Sequence, residues 1–190
     1  MFAKDLGAAG DGGRAELRPL EPWQAEEFWA HVRRGSDFIG QYVGLPDVVG
    51  DLESARALLQ RYAEKAAADR GRMYGIWLDS TLVGAVTLRL FDAQARTCEV
   101  GCWLEPAAAG KGLVTRACRE IIDWAVRVRG IHRVEWICDV ENLPSSNVAK
   151  RLGMRRDAVL REAYFYRGAW HDEEVWSVLG PEWLEGLEGR

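Results

Sequence analysis

Apolar and polar residues along the chain follow two different periods, and each change of period marks the boundary of a predicted element. The segments that alternate in the manner of half-buried strands are residues 16–20, 73–78, 82–90, 98–104 and 132–140. The segments whose apolar positions recur at helical spacing, which predicts amphipathic helices, are residues 23–34, 53–70 and 116–130. Pro22 suits the first turn of the first helix, and Asp51 is placed to cap the second.

The C-terminal part of the chain predicts a short helix followed by a long hairpin. Residues 141–153 read as a loop and a short helix that ends at Gly153, and residues 154–179 read as two strands around a turn at Arg167 and Gly168. The resulting order, β-α-α-β-β-β-α-β-α-β-β, predicts an α/β fold. Its sheet is mixed, mostly antiparallel and seven-stranded, and about four helices flank it.

Length and composition place the chain among ordinary globular domains. It has 190 residues, of which 48% are hydrophobic and 28% charged, so a single domain is expected. We assign residues 1–14, rich in Gly and Ala, to a flexible N-terminus, residues 15–180 to the domain and residues 181–190 to a short tail. No apolar run is long enough for a membrane helix and no signal peptide is recognisable, so a cytoplasmic location without membrane contact is expected.

The net charge argues against nucleic-acid binding, and the spacing of the cysteines and histidines argues against a metal site. The net charge of -4 argues against nucleic acid as the main partner. The four cysteines lack CxxC spacing and the three histidines are scattered, so we expect no metal and buried, reduced thiols. The cysteines are Cys98, Cys102, Cys118 and Cys138.

Residues 101–115, GCWLEPAAAGKGLVT, form the segment that is most informative about chemistry, because a strand there runs through a small-residue loop into a helix. Gly110 and Gly112 remove side chains where a ligand would approach the backbone. Successive N–H groups at the positive end of the helix dipole are then expected to hold a pyrophosphate. Spacing alone fits a plain tight turn equally well. The segment matches neither the P-loop nor the dinucleotide fingerprint.

Three stretches together resemble a known family. GCWLEPAAAGKGLVTRA, HRVEWICDVENLPSSNVAKRLGM and VLREAYFYRGAWHDEEVWSVL resemble the GNAT N-acyltransferases, and within them the RimJ/RimL-type branch, whose bacterial namesakes acetylate the N-termini of ribosomal proteins. The resemblance covers residues 17–179. It implies the single-domain GNAT fold for residues 15–180, with two central strands that splay apart.

The resemblance implies a coenzyme site. Acetyl-CoA is expected between the splayed strands, with its pyrophosphate on residues 110–115 and its pantetheine arm along residues 100–104. The family signature Q/R-x-x-G-x-G/A falls on Ala109, Gly112 and Val114, so its first and last positions differ here. The residues implied to bind the coenzyme are Trp103, Leu104, Gly110, Lys111, Gly112, Leu113, Val114, Thr115, Asn142 and Ser145.

Acyl transfer to an amine needs a base for the amine and a proton for the departing thiolate. Alternation places Glu99 on the strand face of Trp103, and the resemblance implies that such a glutamate acts through water as the base. Its alternative role is an ion pair with Arg89 or Arg133.

The general acid is expected in the helix that follows the next strand. Many GNAT enzymes have a Tyr acid at the position of Ala149, and that Tyr is absent here. A Ser is proposed instead in the RimL-like branch, and the resemblance transfers that role to the matching Ser145, beside Asn142. The alternative for Ser145 is a helix N-cap.

Several further residues are expected to meet the acceptor. The proposed catalytic glutamate of RimL-like proteins matches Tyr164 here, so that role is not transferred. Glu162, expected on the same strand face, is an alternative base or an acceptor-binding carboxylate. His171 and Asp172 are interpreted as structural or as part of the cleft rim. The aromatic residues expected to form the acceptor wall, unless they only pack the helices, are Trp23, Phe38 and Tyr42, with Tyr164 as a further substrate contact.

The sequence therefore predicts an enzyme that moves an acetyl group from acetyl-CoA to a primary amine, by direct attack within a ternary complex. The amine belongs to a peptide or protein N-terminus or to a small molecule, and a homodimer is compatible with this reading. Two alternatives stay open: a non-catalytic acyl-CoA-binding regulatory domain, and a same-fold enzyme that uses a larger acyl group such as succinyl or acts on an antibiotic amine.

Overall fold

The computed structural model describes residues 3–10 and 12–188, which form one eight-stranded sheet covered by helices on both faces. The strands are β1 (Lys4–Ala8), β2 (Arg14–Pro19), β3 (Arg72–Leu78), β4 (Thr81–Asp92), β5 (Thr97–Leu104), β6 (Arg133–Asp139), β7 (Arg155–Tyr166) and β8 (Ala169–Leu179). The helices are α1 (Ala25–Arg34), α2 (Ser36–Ile39), α3 (Leu45–Val48), α4 (Leu52–Ala67), α5 (Leu113–Asp123), α6 (Leu143–Arg151) and α7 (Gly180–Glu188). The α/β class and the mixed sheet are as expected.

The strands lie in the order β1-β2-β3-β4-β5-β6-β8-β7. Every neighbouring pair is antiparallel except β5 and β6, which run parallel and are joined by α5 and its π-helical continuation, Trp124–Val128. A parallel pair requires such a crossover, because a tight turn can only reverse the chain.

Two sets of buried side chains attach the helices to the two faces of the sheet. The first set, between α5, α6 and one face, includes Val86, Val100, Ala117, Cys118, Ile121, Val134 and Val148. The second set, between α1, α4 and the opposite face, includes Phe28, Val32, Leu59, Met73, Trp77 and Ala85. Because side chains alternate between faces along a strand, the central strands β3, β4 and β5 contribute to both sets. The molecule is therefore a three-layer α/β/α arrangement.

The expected count of seven strands was wrong by one, because residues 4–8 pair with β2 as an edge strand. Arg116 of α5 holds this edge strand in place. Its guanidinium donates hydrogen bonds to the carbonyl oxygens of Leu6 (2.5 Å), Ala8 (2.9 Å) and Lys111 (3.1 Å). Leu6 is also buried in the first core set. Both contacts join positions far apart in sequence, so the Gly/Ala composition of this segment did not reveal them.

The chain termini differ from their sequence-based assignment. Within the predicted flexible segment, residues 1, 2 and 11 lie outside the described residues, as do residues 189 and 190 of the predicted tail. The described part of the tail forms α7, and Trp183 of this helix is 5% exposed and packs into the first core set. The described residues form seven α-helices instead of the expected four, and the additional ones, α2, α3 and α7, are short or terminal. No described helix is long and apolar enough to cross a membrane.

Arg116→Met should release β1 from the rest of the molecule. The substitution keeps the aliphatic stem and removes the charged hydrogen bonds to two β1 carbonyls, so we expect a loss of about 2 kcal/mol in the free energy of unfolding. In hydrogen–deuterium exchange, residues 4–8 should lose protection while β3 and β4 keep theirs. Arg14→Met is the control, because the exposed Arg14 guanidinium lies 3.8 Å from the Asp5 carboxylate and such pairs contribute little. Equal loss of β1 protection in both variants would contradict this account.

Candidate active site

A gap between β5 and β6 opens in the middle of the sheet. These strands pair only at Thr97 with Arg133, Cys98 with Val134 and Glu99 with Glu135, although β5 continues to Leu104 and β6 to Asp139. Beyond Glu99, the backbone edges of the two strands that face each other form no ladder. Backbone N–H and C=O groups in such a position need another partner, which water or an extended ligand with amide groups can supply.

The loop at the end of β5 forms an anion cradle at the N-terminus of α5. Gly110 (φ 77°) and Gly112 (φ 71°) adopt left-handed backbone conformations, with open space around the position of a Cβ at each. The amides of Gly110, Gly112, Leu113, Val114 and Thr115 donate no hydrogen bond to a described residue. Unpaired amides at the positive end of a helix dipole bind phosphate groups.

The side chains of this loop are less suited to contact an anion than its backbone amides are. Leu113 is 1% exposed and buried in the core, Val114 packs beside it, and the hydroxyl of Thr115 accepts a hydrogen bond from Arg151 Nε (3.3 Å). Leu104 likewise packs against the first core set. Of the positions predicted to bind a coenzyme, these are therefore suited to contribute backbone groups.

A buried polar network fixes the end of β5 to α1. Trp103 lies on the α1 face, where its indole N–H donates to Nε2 of His31 (3.2 Å). Glu105 accepts a hydrogen bond from Arg34 Nε (3.1 Å), and its carboxylate lies 3.5 Å from Nδ1 of His31. Burial, followed by the Arg34 charge, lowers the pKa of His31 from 6.5 to about 4, so the ring is neutral at pH 7. The Trp103 side chain thus anchors the strand, and only its backbone borders the gap.

The N-terminus of α6 approaches the gap from the α5 face. Asn142 caps this helix, with its Oδ1 accepting from the Ser145 amide (3.1 Å). The Ser145 hydroxyl oxygen accepts the indole N–H of Trp136 (2.9 Å), so the hydroxyl proton points away from that indole, on the side where Cys138 lies. A hydrogen bond from Ser145 also partly offsets the effect of burial on Cys138, whose thiol pKa is raised to about 11. The capping role therefore belongs to Asn142, and the Ser145 side chain has a different environment.

Glu99 lies on the opposite face, where β5 and β6 begin to separate. Its carboxylate is 2.9 Å from Arg89 NH1, which confirms the ion pair considered as its alternative role. Burial raises the pKa of Glu99, while the Arg89 charge opposes that shift. A cavity of about 340 Å³ adjoins it, lined by Leu58, Arg61, Tyr62, Lys65, Arg89, Leu90 and Glu99. This cavity opens on the α4 side of the sheet and carries three basic side chains.

Sequence reasoning missed a cluster around Asp139 at the end of β6. The Asp139 side chain is 2% exposed, and its Oδ2 accepts from the Tyr164 hydroxyl (2.7 Å) and lies 2.8 Å from Nδ1 of His171. Its Oδ1 accepts the amide of Glu141 (2.7 Å). The rings of Tyr164 and His171 stack with centroids 5.1 Å apart. Strand alternation in β6 and β8, which places Asp139 and His171 on one face, was the available signal.

Glu162 does not share the face of Tyr164, so that expectation was wrong. The register of β7 against β8 shifts between Leu160 and Tyr164, and Glu162 lies in this bulge with a left-handed backbone (φ 50°). Its amide donates to Asp172 Oδ1 (2.8 Å), and its side chain is exposed. An irregular insertion of this kind breaks the two-residue period on which the expectation relied.

The predicted acceptor wall is only partly assembled. The Tyr42 hydroxyl donates to the carbonyl oxygen of Glu141 (3.1 Å), and the Tyr166 hydroxyl donates to that of Gly40 (2.8 Å), so the α2–α3 region contacts both the end of β6 and the hairpin tip. Phe38 belongs to the same region and is half-exposed. Trp23, by contrast, is 79% exposed and precedes α1, about 16 Å from its Arg34 end. The structure does not bring Trp23 to the gap.

The cysteines are free thiols as expected, and three of them are buried. Burial raises the pKa of Cys98 to about 12 and that of Cys118 well above its ordinary value. Within the described part of the chain, no group of three His, Cys, Asp or Glu side chains is arranged to hold a metal ion.

Comparisons with known proteins identify the family. The profile of the acetyltransferase (GNAT) domain matches residues 14–155. The probable N-acetyltransferase YjcK of Bacillus subtilis is 29% identical over 170 residues, 87% of this chain and 94% of that protein. The putative ribosomal N-acetyltransferase YdaF of the same organism is 27% identical over 172 residues, 88% and 92% respectively. The solved ribosomal L7/L12 alpha-N-protein acetyltransferase RimL in complex with coenzyme A has the same fold, with a TM-score of 0.85 at 19% identity over 93% of this chain and 98% of that one.

The neutral His31 ring should make stability depend on pH. The unfolded chain takes up a proton near pH 6.5, whereas the folded chain takes it up only near pH 4, so stability falls as pH decreases between these values. The shift corresponds to a loss of about 2 kcal/mol between pH 7 and pH 5. Urea unfolding at both pH values checks this. His31→Gln retains an acceptor for Trp103 and should lose less stability over that interval; an identical loss would contradict the assignment.

Proposed function

The chain belongs to the acetyltransferase (GNAT) family, and from this premise we propose that it transfers an acetyl group from acetyl-CoA to a primary amine, with a peptide N-terminus as the first acceptor class. The observation that carries the proposal is the gap between β5 and β6, which ends at the glycine cradle. The open edge of β5 leads directly to the glycine cradle. This order matches a ligand that has an amide-containing arm followed by a pyrophosphate.

The coenzyme would enter on the α5 face. Its pyrophosphate would accept hydrogen bonds from the amides of residues 110–115, and its pantetheine amides would pair with the free edge of β5 beyond Glu99. Lys111 would add positive charge at the loop. The solved coenzyme A complex of RimL supports this reading at the level of the fold.

Ser145 would protonate the departing thiolate. Its oxygen accepts the Trp136 N–H, so the hydroxyl proton is directed away from that indole, and a thiolate would accept it in place of the Cys138 sulfur. Asn142, one helical turn earlier, fixes the position of Ser145 through its amide. No covalent acyl-enzyme is part of this scheme, because the buried thiols have raised pKa values and are poor nucleophiles.

The acceptor would enter on the α4 face, through the region between Tyr42 and the cavity at Glu99. A peptide N-terminus has a pKa near 8, against about 10.4 for lysine, so its amine is partly neutral at physiological pH and needs less activation. The putative ribosomal N-acetyltransferase among the relatives supports a protein N-terminus as acceptor class. Glu99 remains a candidate base, although its ion pair with Arg89 competes for the carboxylate.

Gly112→Asp should abolish coenzyme binding. An aspartate there places a carboxylate in the cradle and strains the left-handed backbone, so the rise in melting temperature caused by coenzyme A should vanish. The control is Gly130→Asp, since Gly130 has a similar φ (65°) and open surroundings but follows the far end of the same helical segment. If coenzyme A raises the melting temperature of the Gly112→Asp variant as much as that of the wild type, the coenzyme does not bind at this loop.

Ser145→Ala should lower kcat by roughly 10²-fold while the KM for acetyl-CoA stays near its original value. The hydroxyl matters most when the thiolate forms, so binding should be spared. Ser146→Ala is the matched control on the neighbouring position, because the Ser146 hydroxyl donates to the Leu143 carbonyl (3.2 Å) within the same helix. Similar kcat values in the two variants would remove Ser145 from the chemistry.

An acceptor panel separates the proposed reaction from its alternatives. Wild-type protein is given acetyl-CoA or succinyl-CoA with peptides that have free N-terminal serine or alanine, with spermidine, and with an aminoglycoside. Acetylation of a peptide at its N-terminus is the expected result. Coenzyme binding without turnover of any amine would indicate the non-catalytic acyl-CoA-binding domain. Preference for succinyl-CoA or for the aminoglycoside would indicate the same-fold enzyme with a larger acyl group or an antibiotic acceptor.

A further inference from the structure

We propose that His171, positioned by Asp139, is the general base that takes the proton from the attacking amine. This inference rests on the proposed acetyl transfer and gives a catalytic role to a residue that the sequence indicates is structural or part of the cleft rim. It is carried by three observations: the buried carboxylate that fixes one ring nitrogen, the open second nitrogen, and the position of the ring at the mouth of the gap.

The hydrogen bonds of the cluster select one form of the imidazole. Asp139 lies 2.8 Å from Nδ1 of His171, so the neutral ring carries its proton on Nδ1 and donates it to the carboxylate. Nε2 then keeps a lone pair. Nε2 has no hydrogen-bond partner among the described residues and is not enclosed, since the His171 side chain is 27% exposed. An oriented imidazole with an open Nε2 is the arrangement by which a carboxylate supports a histidine base.

Asp139 is held as an acceptor by the rest of its surroundings. Tyr164 and the Glu141 amide donate to it, in addition to His171. Burial and the bond to Asp139 raise the pKa of Tyr164, so its phenol stays protonated and continues to donate. These contacts keep the carboxylate in one orientation, and the 5.1 Å ring stack keeps the imidazole plane fixed.

The strand geometry places this base opposite the proposed acid. Cys138 and Asp139 are adjacent in β6, so their side chains point to opposite faces of the sheet. Ser145 is hydrogen-bonded to Cys138 on the α5 face, and His171 is hydrogen-bonded to Asp139 on the α4 face. Both therefore adjoin the end of β6 where it borders the gap. The acid lies on the proposed coenzyme side and the base on the proposed acceptor side.

The reaction balances with these two groups. The nitrogen lone pair of a neutral amine attacks the thioester carbonyl carbon, the C–N bond forms, and the amine proton passes to Nε2 of His171. The C–S bond breaks, and the thiolate takes the Ser145 hydroxyl proton. Water then restores the Ser145 proton and removes the proton from His171, so the products are the amide and coenzyme A.

The charged and titratable groups that face His171 come from several elements. β6 contributes Asp139, β7 contributes Tyr164 and Tyr166, and β8 itself contributes Glu173, whereas the adjacent Asp172 accepts the Glu162 amide instead. Burial raises the pKa of Glu173, with Arg89 opposing and Asp139 adding to the shift. A pH profile of the wild type alone would combine these groups with the amine, so the test compares variants.

The decisive variant is His171→Asn. The Asn amide nitrogen lies close to the position of Nδ1, so the variant still donates a hydrogen bond to Asp139. It has no equivalent of Nε2, and therefore no group that takes the amine proton. We expect its kcat to fall roughly 10²-fold, with loss of an inflection that the wild-type profile of rate against pH contains, while thermal stabilisation by coenzyme A is unchanged. Rates are measured from pH 5.5 to pH 9 with acetyl-CoA and whichever amine of the panel the wild type acetylates fastest. His171→Gln replaces it if the Asn variant does not fold.

Two further variants test whether the carboxylate of Asp139 acts by orienting the His171 ring or whether any nearby carboxylate has the same effect. Asp139→Asn should also lower kcat, because its amide no longer selects the tautomer with an open Nε2. Asp157→Asn is the matched control: Asp157 accepts from Ser177 (2.6 Å) and Arg133 (2.7 Å) at the other end of the β7–β8 hairpin, and its loss should leave the pH profile unchanged.

The outcomes separate this inference from the proposed function. A His171→Asn enzyme with the rate and pH profile of the wild type overturns the inference alone, and so does loss of the inflection in Glu99→Gln but not in His171→Asn. Coenzyme binding by the wild type without turnover of any amine overturns the acetyl transfer and this inference with it. Retention of the inflection in Glu99→Gln together with its loss in His171→Asn supports the inference.

Discussion

The separation of β5 from β6 is the constraint on which the rest of the structure depends. A sheet interior normally pairs every backbone group, yet these parallel strands stop pairing after Glu99 and Glu135. The gap is kept open because each strand is secured from its other side, β5 by β4 and β6 by β8. The resulting free edges lie where two helices, α5 and α6, begin. An extended ligand with amide groups can satisfy them in place of water.

The gap also divides the chemistry between two faces. Amides of residues 110–115 and the Ser145 hydroxyl belong to the α5 face, whereas Glu99, Asp139 and His171 belong to the α4 face. Two reactants can therefore meet through the sheet without sharing an entrance. Direct attack in a ternary complex is the reaction that suits this arrangement, since each reactant retains its own binding surface.

The sequence predicted the parts of this site that depend on local pattern. Glycine spacing located the cradle, and alternation along β5 placed Glu99 and Trp103 on one face, as the structure has them. What it missed depends on contacts between distant residues or on irregular backbone. β1 is held by Arg116 across more than a hundred positions, the bulge turns Glu162 to solvent, and Asp139 meets His171 across 32 positions.

Hydrogen–deuterium exchange with and without coenzyme A tests the central claim most directly. If the coenzyme occupies the gap and the cradle, its addition should slow exchange at those amides of residues 100–104 that face the gap, and at the amides of Gly110 and residues 112–115, for which the described residues supply no acceptor. Residues 97–99, which already pair with β6, should change little. Slowed exchange confined to other segments, with these amides unaffected at saturating coenzyme, would contradict the account.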